Sequence, residues 1–127
     1  MPNPVVHFEI SGKDDKALRK FYASAFDWKV EAMPDGGAGI SYAMVHPGVE
    51  YGIDGGIGGV PNDGYPGHVT FYVEVERLED ALKKIEQLGG KTMMPPMDVP
   101  GGPRIALFFD PEGHTVGLVQ RGSMRSS

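Results

Sequence analysis

The sequence predicts an α+β protein made of two tandem βαβββ modules, and an internal repeat is the first observation behind that prediction. The strand-like run Val5–Ile10 returns in the second half as His68–Val75. Each run leads into a helical stretch, and the Ala17-Leu18 pair of the first stretch returns 64 positions later as Ala81-Leu82. Two copies of one supersecondary unit in 127 residues predict a single domain with a pseudo-twofold arrangement.

The first module is predicted to contain one helix and three further strands. Asp14 and Asp15 suit a helix N-terminus, so a helix is expected from there to about Phe26. Its apolar residues recur at helical spacing and form one stripe that is expected to be buried: Leu18, Phe21, Tyr22 and Ala25. Strands are then predicted at Trp28–Met33, Gly39–Val45 and Tyr51–Ile57.

The second module repeats this order after a loop. Residues Val60–Gly67 are rich in Pro, Gly, Asn and Asp and predict the loop between the modules. A helix is expected over Leu78–Leu88, because Gly89-Gly90 is a common C-terminal signal. The strands predicted after it are Lys91–Met94, Arg104–Phe109 and His114–Gln120. Module one then covers about 4–59 and module two about 67–120 of one domain over 1–120, followed by a disordered tail over 121–127.

Alternation within the strands predicts which side chains share a face, since side chains two apart point the same way. One face is apolar and is expected to pack under the helices: Val6 and Phe8 in the first strand, Val69 and Phe71 in the fifth. The opposite face carries ionisable, hydroxyl and aromatic side chains: His7, Glu9, His68, Thr70 and Tyr72. Such a face suits a lined cavity, although a plain two-layer sandwich would expose the same groups to water.

Composition excludes several classes of protein. The absence of cysteine excludes disulfides, zinc–thiolate sites and cysteine nucleophiles. A net charge of −5 without a cluster of Lys and Arg argues against nucleic acid as a partner. No apolar run is long enough to span a membrane and the N-terminus lacks the layout of a signal peptide, so a cytoplasmic protein with no membrane partner is expected.

Two further segments have open interpretations. Asp54–Gly59 is glycine-rich but lacks the Lys and Ser/Thr of a P-loop, so its glycines are expected to mark a close backbone approach or a bend where the two modules cross. Met93–Pro103 contains three methionines and several prolines and is predicted to be an extended loop. It would serve equally well as a lid on a small apolar ligand or as a surface that packs against a partner subunit.

Five short motifs are distributed over both halves. They are His7-Phe8-Glu9-Ile10, Phe21-Tyr22, Phe26-Asp27-Trp28, Gly89-Gly90 and Asp110-Pro111-Glu112-Gly113. Together they resemble the vicinal oxygen chelate superfamily, which contains glyoxalase I, bleomycin-resistance proteins and extradiol dioxygenases. The resemblance covers about residues 4–120, and Gly89–Gln120 is especially similar to small bacterial glyoxalase-like members. It implies a curled mixed sheet around a central pocket and leaves the reaction open.

The resemblance also implies where a divalent metal would be held, because metal enzymes of the superfamily place one ligand on the first strand and one on the last strand of each module. His7 occupies one such position, whereas Thr70 and Gly117 occupy two others. Asp54 is the available carboxylate for the fourth. Thr and Gly are poor ligands for a divalent transition metal, so no metal or other cofactor is expected, with His7 and Asp54 as weak candidate ligands.

The leading hypothesis is a metal-independent binding protein of the glyoxalase/bleomycin-resistance type that takes a small apolar or aromatic compound in the central pocket. The expected binding residues are His7, Glu9, His68, Thr70 and Tyr72. The alternative is a lyase or isomerase in which His7 and Glu9 transfer protons, with or without a divalent metal. A third hypothesis is a structural accessory dimer. Small modules with little core also predict a homodimer.

Overall fold

The computed structural model describes residues 2–33, 41–60 and 64–123. The chain groups into two compact units, one formed by His7–Val69 and the other by Met1–Val6 together with Thr70–Ser127. Each half contains one strand, one helix and then three further strands, which confirms the predicted α+β class and the tandem βαβββ order. Residues 61–63 of the predicted loop lie outside the described residues.

The first unit is a four-stranded mixed sheet with one helix. Its elements are β1 (Val5–Ser11), α1 (Asp15–Phe26), β2 (Lys29–Ala32), β3 (Tyr42–His46) and β4 (Gly55–Gly58). The strand order is β2-β3-β4-β1, in which β1 is parallel to β4 and the other neighbours are antiparallel. The buried residues at the centre of its core are Ile10, Val45 and Ile57.

Helix α1 begins where the acidic residues predict. The Asp14 carboxylate accepts a hydrogen bond from the Ala17 N–H at 3.1 Å and so caps the first turn. The predicted buried stripe is wrong in part, because Phe21 is 60% exposed and Ala25 is exposed as well. Leu18 and Tyr22 make the contact with the core, so the side of the helix that faces the sheet is narrower than the sequence stripe.

An aromatic cluster joins α1 to its sheet. Phe8 of β1 packs on the helix side, as the alternation predicts, with its ring centroid 5.3 Å from that of Trp28. Tyr22 is stacked on Trp28 at 5.6 Å, and Phe26 lies 5.3 Å from the same ring. The side of β1 that carries Phe8 is therefore filled by rings, and the polar side chains of β1 lie on the other side of the sheet.

Strand β5 (His68–Val75) begins in the first unit with His68 and Val69 and continues in the second. The second unit also contains α2 (Leu78–Gln87), β6 (Lys91–Asp98), β7 (Arg104–Phe109) and β8 (Thr115–Gln120). The strand order is β5-β8-β7-β6, with β5 parallel to β8. The buried core residues of this unit are Val75, Leu78, Leu82, Ala106 and Leu118. Of the predicted tail, Arg121 donates its N–H to the Val75 carbonyl at 2.8 Å, and residues 124–127 lie outside the described part of the chain.

Helix α2 ends at the predicted glycine pair. Gly89 has a φ of +105°, a conformation that favours glycine, and the Gly90 N–H donates to the Ile85 carbonyl at 2.9 Å. A Cβ on Gly90 would also lie 2.6 Å from Cγ2 of Ile85. Both glycines are therefore required for the chain to leave the helix and enter β6.

The methionine-rich segment differs from its prediction as a loop. Its residues up to Asp98 belong to β6, the last strand of its sheet in the order above. The pairing with β7 shifts register between Thr92 and Met94 and again between Met94 and Met97. A strand that pairs on one side tolerates the missing N–H groups of Pro95 and Pro96, which explains how these prolines fit.

The predicted burial of Val69 and Phe71 under a helix is wrong. Val69 is 76% exposed and Phe71 is 43% exposed. The reason is that α2 covers the other end of β5, where Val73 and Val75 pack against it. Within the described residues, neither helix combines the length and the apolar character needed to cross a membrane.

Candidate functional site

The polar face of β1 carries His7 and Glu9, and each is hydrogen bonded to a side chain from elsewhere in the first unit. Nε2 of His7 lies 3.0 Å from the hydroxyl of Tyr42 on β3. Oε2 of Glu9 lies 3.0 Å from Nε2 of His68 at the start of β5. The structure thus brings Glu9 and His68 together, while their role in ligand binding stays a prediction. Tyr42 joins the site as a residue that the sequence interpretation did not select.

Glycines of β4 make room for the ring of Tyr42. The register places Tyr42 opposite Gly58 and Met44 opposite Gly56. A Cβ on Gly56 would overlap the Tyr42 hydroxyl and ring, and one on Gly58 would come 2.7 Å from the ring. At Gly56 and Gly58 the group that approaches is a side chain, the phenol that reaches His7, where the sequence predicted a close backbone approach or a bend.

Burial decides the charge of the His7–Tyr42 pair. Burial lowers the pKa of His7, against the opposing effect of the Glu9 and Asp54 charges. Burial raises the pKa of Tyr42, and the negative charge of Glu9 raises it further. At neutral pH the imidazole is therefore uncharged and the phenol keeps its proton. If Nε2 of His7 carries the ring proton, the Tyr42 O–H is available as a hydrogen-bond donor to a ligand.

The Glu9–His68 pair continues to a second phenol. The side chains of His68 and Glu9 are only 13% and 16% exposed. Nδ1 of His68 lies 2.5 Å from the hydroxyl of Tyr65, and the Ser11 hydroxyl accepts the backbone N–H of His68 at 3.0 Å. Polar contacts on both ring nitrogens and on the backbone therefore fix the position of this imidazole.

Comparison with known proteins decides the family. The family profile described as Glyoxalase/Bleomycin resistance protein/Dioxygenase superfamily matches residues 5–118, which is most of the chain. The chain belongs to this superfamily. The resemblance inferred from the sequence motifs is thereby confirmed.

Relatives of this superfamily member include proteins about twice its length. CFP32 of Mycobacterium tuberculosis is 31% identical over 114 residues, which cover 88% of this chain and 43% of CFP32. The anthracycline biosynthesis protein DnrV of Streptomyces peucetius is 29% identical, with 99% and 50% covered. The chain thus spans about half the length of these curated relatives. A glyoxylase-like domain-containing protein of Didymella fabae is 27% identical over 92% of this chain and 97% of its own length.

Solved structures share the superfamily fold. A hypothetical protein from Bacillus halodurans C-125 has a TM-score of 0.72 at 13% identity, with both chains fully covered. Methylmalonyl-CoA epimerase from Mycobacterium tuberculosis has a TM-score of 0.66 at 12% identity, with 91% of this chain and 86% of the epimerase covered. At these identities the likeness concerns the fold.

The residues at the metal positions of the superfamily do not fit a metal in this member. The Thr70 hydroxyl donates to the Thr115 carbonyl at 2.6 Å, and Gly117 lies under the ring of Tyr72, which a Cβ would overlap. Asp54 pairs instead with His46, at 3.1 Å between Oδ2 and Nδ1. Within residues 2–33, 41–60 and 64–123, no three His, Cys, Asp or Glu side chains are grouped as metal binding requires.

Thr70 and Tyr72, the two other predicted binding residues, belong to the second unit. Both are buried, at 7% and 6% exposure. Their contact with a ligand stays a prediction from the strand alternation. The residues missed by the sequence interpretation are Tyr42 and Tyr65. Tyr42 faces a glycine run on the neighbouring strand, and Tyr65 precedes His68 by three positions, but neither signal identifies a partner without the fold.

Proposed function

We propose that the chain is a metal-independent binding protein for a small organic molecule, and that the polar face of β1 in the first unit holds the ligand. The observation that carries this proposal is the uncharged His7–Tyr42 pair next to the Glu9–His68 pair. Two hydrogen-bonded pairs in a half-buried region provide the few placed polar groups that small-molecule sites use for orientation. The residues at the metal positions of the superfamily are poor metal ligands, which supports ligand binding without a metal ion.

The ligand class follows from the charge and shape of these groups. A neutral imidazole and a protonated phenol attract no ion but hydrogen bond well to a carbonyl or hydroxyl group. Flat rings favour an apolar or aromatic ligand body. The relatives named for anthracycline biosynthesis support an organic compound as the ligand. We therefore propose a small apolar or aromatic compound that carries one or two oxygen atoms.

The experiment is a side-chain NMR titration with small aromatic ketones and phenols. The ring nitrogens of His7 and His68 are expected to shift on binding, and the melting temperature is expected to rise with ligand concentration. The Tyr42→Phe variant should bind more weakly, because it loses the hydroxyl at His7. Tyr51→Phe is the matched control, since Tyr51 is 93% exposed. Binding that shifts only His46 and His114 would contradict the proposed site.

The alternative is a lyase or isomerase that uses His7 and Glu9 for proton transfer. The position of Glu9 favours it, because Glu9 is only 16% exposed and shares its side of β1 with His7, where one bound ligand would be within reach of both. Incorporation of solvent deuterium into a ketone that binds in the titration distinguishes the two functions. An enzyme would exchange the proton next to the carbonyl group, and Glu9→Gln would stop the exchange. A binding protein would leave the ketone unlabelled.

A further inference from the structure

Three side chains of the first unit form a hydrogen-bonded series that ends in a phenol. Oε2 of Glu9 lies 3.0 Å from Nε2 of His68, and Nδ1 of the same ring lies 2.5 Å from the Tyr65 hydroxyl. One imidazole thus bridges a carboxylate and a hydroxyl. This is the arrangement of nucleophile, base and orienting group that activates side-chain oxygens in covalent catalysis.

The backbone around His68 holds this imidazole in place. The backbone N–H of His68 donates to the Ser11 hydroxyl at 3.0 Å. Gly67, directly before it, has a φ of +96°, and a Cβ there would overlap the Ser11 carbonyl. Only glycine therefore allows the chain to pass Ser11 in this way. The Tyr65 ring meets the His68 ring edge-on, with centroids 5.7 Å apart, and this contact restricts the phenol as well.

Two other imidazole–carboxylate pairs of the chain lack this arrangement. His46 and His114 both bond their carboxylates, Asp54 and Asp110, through Nδ1. In the described part of the chain, neither ring has a phenol on its other nitrogen. His68 instead uses Nε2 for the carboxylate, which leaves Nδ1 for Tyr65. The side chain of His114 is also 72% exposed, against 13% for His68.

We propose that Glu9, His68 and Tyr65 form a reactive triad in which the Tyr65 oxygen is a nucleophile toward small activated acyl compounds. The Tyr65 oxygen attacks the carbonyl carbon, and its proton passes to Nδ1 of His68. The bond between the carbonyl carbon and the leaving group then breaks, and its electron pair stays with the leaving group. Nδ1 of His68 gives its proton to the leaving group. The products are a tyrosyl ester and the protonated leaving group.

Glu9 is a positioning residue in this triad. Its carboxylate accepts the Nε2–H of His68, orients Nδ1 toward Tyr65 and stabilises the imidazolium that forms during the transfer. Tyr65 is the residue that touches the acyl compound. This activity does not depend on the binding function proposed above, because it needs only the three side chains.

The test uses p-nitrophenyl acetate as the acyl compound and the whole 127-residue chain. Acetylation is followed by peptide mass spectrometry, and the acetylation rate of Tyr65 is compared with that of Tyr51 in the same sample. Tyr51 is 93% exposed and serves as an unactivated phenol. With a general base at its hydroxyl, Tyr65 is expected to react about 100-fold faster. Acetylation of Tyr65 no faster than that of Tyr51 would overturn the proposal.

Variants separate the triad from general folding effects, because the Tyr65-to-Tyr51 rate ratio is measured within one molecule. His68→Gln is expected to abolish the advantage of Tyr65, and Glu9→Gln to reduce it by about tenfold while the rate of Tyr51 stays constant. His114→Gln is the matched control, since it removes an imidazole paired with a carboxylate elsewhere, and the ratio should not change. An unchanged ratio in His68→Gln would refute the triad even if the wild-type Tyr65 were reactive.

Discussion

At the scale of single residues, the charge of the candidate site depends on how deeply His7 and Tyr42 are buried. Both groups occur in their uncharged forms at neutral pH, because burial penalises an imidazolium and a phenolate alike. The negative charge of Glu9 raises the pKa of both groups, so Glu9 lies close enough to the pair to affect its ionisation. A polar but neutral pair of this kind suits an uncharged ligand.

Stability should depend on pH through His7. Its pKa is lower in the folded protein than the ordinary value of 6.5. Its contribution to the free energy of unfolding is therefore complete above that value and is lost as the pH falls toward the folded pKa. Between about pH 8 and about pH 5, wild type should lose more free energy of unfolding in urea than His7→Gln does. Equal losses in the two proteins would show that His7 does not titrate abnormally.

Metal content is the second prediction at this scale. Purified protein should contain well below one equivalent of Zn, Ni, Fe or Mn, and added metal should not raise the melting temperature. The reason is that Thr70 and Gly117 supply no strong ligand, while Asp54 is engaged with His46. Elemental analysis measures the content. Stoichiometric metal that is lost in His7→Ala would disprove this prediction and favour the enzyme hypothesis.

At the scale of elements, the contact between β3 and β4 positions the site. Gly56→Ala should destabilise the protein by about 1–3 kcal/mol, because the new methyl group must displace the Tyr42 ring. The same change should alter the His7 ring resonances, since the Tyr42 hydroxyl leaves Nε2. Urea unfolding and side-chain NMR measure the two effects.

A double-mutant cycle supplies the control for this prediction. Tyr42→Ala removes the ring that a methyl group at position 56 would overlap. Gly56→Ala should therefore lower the free energy of unfolding much less in the Tyr42→Ala protein. Equal costs in both backgrounds would mean that the strain arises from the β4 backbone and not from Tyr42.

The strands and helices differ in how well the sequence predicts their limits. The cap at Asp14 and the exit at Gly89-Gly90 are local chemical signals, and both lie where they were predicted. Strand β4 begins at Gly55 and not at Tyr51, because Val49–Gly52 forms a turn closed by the Gly52 N–H and the Val49 carbonyl. Strand β6 continues through two prolines, which its place at the end of the strand order and the register shift between Met94 and Met97 permit.

At the scale of the whole molecule, we expect a homodimer. Exposed aromatic side chains on α1 support this, because Phe21 and Phe26 are 60% and 58% exposed on a small protein that gains from covering them. Sedimentation at micromolar concentration should give twice the chain mass of 13.7 kDa. A double variant with Phe21→Ser and Phe26→Ser should shift the equilibrium to monomer. A monomeric wild type at that concentration would contradict the prediction.

The amino-acid sequence by itself determined the class of the fold, the repeat and the superfamily. The class and the superfamily depend on features that lie close together along the chain: alternation on strands, helix caps, and short motifs such as Asp110-Pro111-Glu112-Gly113. The repeat is the return of such local patterns in the second half. The polar face with His7 and Glu9 also follows from alternation alone, since side chains two apart on a strand share a side. Local periodicity is therefore sufficient to identify candidate site residues.

The tertiary structure decided which of those residues meet and with what partners. Tyr42 reaches His7 across 35 positions and His68 reaches Glu9 across 59. Such contacts depend on strand register and on glycines that admit a ring, neither of which a single sequence specifies. The exposure of Val69 and Phe71 has the same cause, because how far α2 extends over β5 is set by packing and not by alternation. The chemistry of the site is a property of these long-range contacts.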